Sequence, residues 1–146
     1  MTLVRLAKLA KAEAEKKAKR EGDDFLKFDS VWCVFDVDEH PNIPDAMTMA
    51  ADNGIELAIS SPCFELWLIL HFRDSPGLMH RHKLQKSMGK HIAEYDKRVD
   101  YSDYETGYPD AVRRAKKLLE QAERVGDPIY NPSTGVFRLT ELIRGE

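Results

Sequence analysis

Five apolar residues, Val31-Trp32-Cys33-Val34-Phe35, run without a break into Asp36-Val37-Asp38-Glu39-His40. The apolar half reads as a buried strand. Val31, Cys33 and Phe35 point one way and Trp32 and Val34 the other, the pattern of a strand covered on both faces. The acidic half is what that strand carries at its carboxyl end. Three carboxylates within four residues repel one another. A fold that gathers them therefore gives them a cation or solvent.

The flanking sequence supplies a setting for this cluster. Pro41, Asn42 and Pro44 make a loop, Asp45 to Asn53 reads as a short helix stopped at Asn53-Gly54, and Ile55 to Ser60 reads as a second strand. Strand, helix and strand make a βαβ unit, and such crossovers are right-handed in nearly all cases. Both strands then run the same way, and Asp36 and Ser60-Ser61 emerge at one carboxyl edge, where open α/β sheets place their ligands. Ser61-Pro62 is expected to open a buried helix through Phe64-Glu65-Leu66-Trp67-Leu68-Ile69-Leu70-His71-Phe72, with Ser61 as N-cap and Pro62 in the first turn. Downstream, a short helix is expected around His82 to Ser87. The tyrosine-rich stretch 95–108 reads as irregular, and Asp110 to Arg124 as an amphipathic helix. Asn131-Pro132-Ser133-Thr134 is expected to cap a last helix carrying Val136, Leu139, Leu142 and Ile143. With 146 residues the chain is sized for one domain, 1–146.

Charge is unevenly spread. Residues 1–22 hold seven Lys and Arg against three acids; residues 23–56 hold one Lys against nine acids. The first block reads as a helix whose Leu3, Leu6 and Ala10 pack on the core while its later turns run into solvent. A basic helix beside an acidic centre suits a polyanion at the first and a metal at the second, although a solvated helix face also accounts for the basic run. No run approaches the ~20 apolar residues of a membrane span, and the opening residues turn Lys- and Glu-rich at once, unlike a signal peptide. Cys33 and Cys63, both in apolar surroundings, read as buried reduced thiols of a cytoplasmic protein.

Among the candidate site residues, Asp36 and Asp38 lie on one face while the backbone stays extended, and a turn lets them converge on one cation. Two carboxylates plus water suit Mg²⁺. Glu39 and His40 read either as further ligands or as solvated loop residues. Glu65 is costly to bury without a partner. It serves either as an anion in the first helical turn or as a third carboxylate leaning toward Asp36. His71 is a satisfied core histidine or a general base. His80-Arg81-His82-Lys83 reads as a surface basic patch, and no Gly-rich phosphate loop, Gly-x-Ser-x-Gly elbow or Cys-x-x-Cys is present.

With these residues in view, the chain resembles the RloB-like family of bacterial proteins linked to abortive infection and phage resistance. The stretches that carry the resemblance are 31–41, then Ser60-Ser61-Pro62-Cys63-Phe64-Glu65-Leu66-Trp67-Leu68-Ile69-Leu70-His71-Phe72, then Asn131-Pro132-Ser133-Thr134 with Val136 following. The resemblance implies a Toprim-like α/β domain, with a short, mostly parallel sheet flanked by helices. Asp36 and Asp38 then correspond to Mg²⁺ (or Mn²⁺) ligands, and the activity implied is that of a nuclease on RNA or DNA in antiviral defence. Ser61 stands where family members usually have Asn. The family's usual N-terminal strand and following Glu have no counterpart here, so the chain resembles a shortened member with an incomplete catalytic set. The exposed sheet edge this leaves implies self-association.

The reading that follows is a metal-dependent nuclease-type domain. In it, Glu65 is a ligand or orienting group and His71 or His40 transfers a proton. Lys16, Lys17, Lys19, Arg20, Arg81 and Lys83 hold the phosphate backbone. Nucleic acid is the expected partner, with a companion ATPase or other defence protein beside it. The alternative is a non-catalytic interaction or regulatory module that keeps the fold.

Overall fold

The computed structural model describes residues 2–146; the part of the opening reading that rests on Met1 lies outside them. The fold is mixed α/β, a small three-stranded sheet with helices around it. The strands are β1 (Trp32–Asp36), β2 (Glu56–Ser61) and β3 (Ser133–Thr134), hydrogen-bonded in the order β1-β2-β3. The described residues form two compact units, 2–34 with 41–58, and 35–40 with 59–146.

The first unit holds helices α1 (Leu3–Glu21) and α2 (Ile43–Asp52). α1 is built from strong helix formers. Thr2 caps its start, its hydroxyl accepting from the Arg5 N–H at 3.3 Å, and Gly22 ends it at φ +63°, a left-handed conformation suited to glycine. The buried residues of α1 are Val4 and Ala18, whereas Leu3 and Leu6 are exposed. The expected stripe was therefore off by one position: Val4 holds the inward face, and the far end of the helix docks as well, through Ala18. Lys11 reaches the end of α2, its Nζ donating to the carbonyls of Asn53 at 2.7 Å and Gly54 at 3.3 Å, where a cation is favoured.

In the second unit the segment after β2 is the most buried of the chain: every residue from Glu65 to His71 is buried. Its helix α3 is short, Glu65–Ile69. The expected start at Ser61-Pro62 is corrected here. Ser61 is the last residue of β2, the Ser61–Pro62 peptide is cis, and α3 begins three residues later with no side chain of its own on its first turn. Further on come α4 (Arg81–Ser87), 3-10 turns at Tyr101–Asp103 and Glu105–Gly107, α5 (Tyr108–Val125) and α6 (Val136–Arg144). α5 starts two residues earlier than expected and buries Tyr108, Ala111, Ala115, Leu118 and Ala122, a helical stripe. α6 buries only Val136 and Phe137; Leu142 and Ile143 are exposed, against expectation.

Two further corrections concern the sheet. Ser133–Thr134 is a strand as well as a lead-in to α6, and it pairs antiparallel to β2 with Ser60 opposite Thr134 and Ser61 opposite Ser133. The sheet thus has an antiparallel pair on this side, at its β3 edge. The pairing is reinforced by the buried hydroxyls of Ser60 and Thr134, 2.8 Å apart. Two residues are too few to show a strand period, so β3 was read only as a cap. In β1, Cys33 is buried but Val34 is exposed, so this strand is not covered on both faces.

Candidate functional site

Asp36 closes β1, and the chain turns at once through a 3-10 turn, Val37–Glu39. Asp36 Oδ1 accepts the Phe64 N–H at 2.9 Å. The first turn of α3 has no local cap, so a carboxylate from β1 supplies the acceptor that Ser61 was expected to give. Asp36 is half-buried, and burial raises its pKa above the usual aspartate range; the Phe64 N–H opposes the shift, the charges of Glu39 and Glu65 add to it, and Arg81 counters them.

Glu65 is 4 % exposed, in the first turn of α3. Its Oε1 accepts from Tyr95 Oη at 2.9 Å. The negative charge of Glu65 acts on its neighbours: the buried Cys63 thiol is pushed up to about 12, chiefly by burial and then by Glu65. Tyr95 is likewise raised, by burial first and then by its bond to Glu65. Both stay protonated at neutral pH, so Cys63 is a packed thiol and not a nucleophile. Tyr95 lies between two residues with left-handed backbone, Glu94 at φ +56° and Lys97 at φ +73°, a conformation non-glycine residues seldom adopt.

Arg81, the first residue of α4, donates from Nη2 to Glu39 Oε1 at 2.6 Å. Its side chain is 15 % exposed, while that of Glu39 is 58 % exposed. Arg81 thus sits within the electrostatic reach of Asp36 and Cys63, and Glu39 is held below the usual glutamate range by that bond.

Of the residues singled out from sequence, the structure brings Asp36, Glu39, Glu65 and Arg81 into one electrostatic group. Asp38 is exposed on the 3-10 turn. The His40 ring packs on Phe35 with centroids 4.2 Å apart. His71 is buried with its Nδ1 2.9 Å from the Trp67 carbonyl, and its ring meets Trp67 and Tyr104 edge-on. Lys16, Lys17, Lys19 and Arg20 are exposed on α1, and Lys83 is exposed on α4. Tyr95 was missed. It lies thirty residues from its partner, in a stretch without periodicity, and only the improbability of an unpartnered buried Glu65 announced that some donor had to come.

A mixed α/β fold with a half-buried carboxylate cluster at the end of a strand is the class of protein this geometry defines. The chain belongs to the RloB-like protein family, whose model matches residues 2–143. No curated protein and no solved structure matches it.

Proposed function

We propose that the chain is a Toprim-like, metal-dependent nuclease-type domain acting on RNA or DNA phosphodiesters in defence against phage. The observation that carries this reading is Asp36, at the end of β1, accepting the Phe64 N–H at the entry to α3, one residue before the buried Glu65. The donors are hard oxygens, the chemistry that Mg²⁺ and Mn²⁺ take. Among the described residues no group of three or more His, Cys, Asp or Glu is placed to hold an ion. The fit is therefore to a largely hydrated ion on Asp36 and Glu65, with Asp38 beside them in the chain, as Mg²⁺ prefers. When bound, such an ion supplies charge stabilisation on a phosphodiester and a more acidic water.

The chain's own residues have definable parts. The Phe64 N–H orients Asp36 and Tyr95 orients Glu65. Arg81 presents a guanidinium to a phosphate oxygen when it exchanges Glu39 for substrate, since its fork matches phosphate as well as carboxylate. His40, on the same turn as Asp38, is the proton-transfer candidate of this cluster, and His71 packs instead among aromatic rings. The exposed lysines of α1 and Lys83 suit the phosphate backbone.

One observation favours the second reading, an interaction module without catalysis: Asp36, Glu39 and Glu65 each already have a protein partner. Incubation with labelled single-stranded RNA and DNA in Mg²⁺ or Mn²⁺ separates the two. The nuclease reading expects cleavage that falls at least about a hundredfold in Asp36→Asn. Cleavage unchanged by that substitution would remove the site, and no cleavage by the wild type favours the interaction module.

A further inference from the structure

A cavity of about 260 Å³ opens in the second unit, lined by Trp67, His71, Tyr101, Tyr104, Tyr108 and Arg144 among others. Its walls are aromatic. Trp67 meets His71 and Tyr108 edge-on, and Tyr101 meets Tyr104 edge-on at 5.3 Å between centroids. The Arg144 guanidinium lies over the Tyr108 ring, 4.3 Å from its centroid, and its Nη1 donates to Tyr101 Oη at 3.4 Å. Arg144 Nε is paired with Glu146 at 2.9 Å, and both side chains are nearly half exposed. Tyr108 Oη, another polar group of the wall, donates to Thr140 Oγ1 at 3.1 Å.

One atom of the lining residues is not satisfied. The carbonyl of Trp67 only accepts, so His71 Nδ1 carries the proton in their bond. In the neutral ring Nε2 is then an acceptor, and it is buried without a partner. Nε2 has almost no accessible surface, so a ligand in the cavity meets other atoms of His71.

We propose that this cavity takes one nucleobase of a single-stranded nucleic acid. The base stacks on the tyrosine rings and its phosphate lies toward Arg144. Rings without hydrogen-bond readout are the common device for holding single strands, because every base has a π-face. Arg144 gives the charge complementarity that a plain apolar ligand would not use. The substrate class rests on the nuclease reading above, whereas the site does not share residues with the Asp36 cluster. The two are linked through α3, which carries Glu65 at its start and Trp67 within it.

The test is equilibrium binding of short labelled single strands to the full chain in EDTA, where no metal chemistry runs. A strand with bases is expected to bind roughly tenfold more tightly than an abasic strand of equal length, and Tyr101→Ala to remove that advantage while Tyr101→Phe keeps it. Tyr101 is 44 % exposed, so neither change threatens the core. Equal binding of abasic and base-bearing strands, or an advantage untouched by Tyr101→Ala, overturns the pocket and leaves the nuclease reading standing. Failure of every strand to bind overturns both the pocket and the nucleic-acid substrate, whereas base-dependent binding without any cleavage in Mg²⁺ supports the pocket alone.

Discussion

Glu65 is held at 4 % exposure with Tyr95 donating to one of its oxygens. A buried carboxylate oxygen stripped of its donor loses about 1–3 kcal/mol. Tyr95→Phe keeps the ring and removes only the hydroxyl, so it is expected to lower stability by that amount in urea unfolding, and a loss below about 0.5 kcal/mol would contradict the bond's importance. His71 yields a second prediction at this scale. Burial depresses its pKa below the ordinary histidine value, an effect that outweighs its bonds to backbone carbonyls. The unfolded chain therefore takes up a proton near pH 6.5 that the folded chain refuses. The stability this provides is complete above about pH 6.5 and is lost as pH falls through the unfolded value toward the folded one. Partial burial beside Arg73 and Lys90 depresses His91 in the same direction. Unfolding free energies measured between about pH 7.5 and 5.5 are thus expected to fall in the wild type and to fall less steeply in His71→Phe. Equal slopes would contradict the buried neutral imidazole.

At the scale of elements, the start of α5 is pinned by Gly107. A Cβ there would meet the His71 carbonyl oxygen at 1.9 Å and its carbon at 2.7 Å, both backbone atoms that cannot swing aside. Gly107→Ala is expected to destabilise the fold by about 1–3 kcal/mol or more, whereas Gly89→Ala, facing open space, is expected to stay within about 0.5 kcal/mol; the two urea midpoints check this. Long elements with a strong period were legible in the sequence: α1, α2, α5, β1 and β2 all fall within a few residues of expectation. What was not legible depended on partners distant in the chain. α3 starts where Asp36 reaches Phe64 and not where a local Ser-Pro pair suggested. β3 exists because Ser60 and Thr134 face each other, a pairing that two residues cannot announce.

At the scale of the molecule, the uneven charge is real surface. The exposed Lys16, Lys17, Lys19 and Arg20 give α1 a basic stretch. If these residues meet the phosphate backbone of a single strand, replacing all four by alanine is expected to weaken binding and to flatten the log–log salt dependence by up to about three. An unchanged slope would assign them to plain solvation. The candidate site was half legible. Asp36 stood out through its place after an apolar run and Glu65 through the cost of burying it, but Tyr95 and the Arg81–Glu39 pair are matters of tertiary placement alone. The central claim, that the Asp36 and Glu65 carboxylates form a cation site in this RloB-like chain, is tested most directly by titration calorimetry with Mg²⁺ and Mn²⁺. We predict one saturable site in the wild type, abolished in Asp36→Asn and weakened in Glu65→Gln. No saturable heat from the wild type, or binding unchanged in both variants, would contradict the claim.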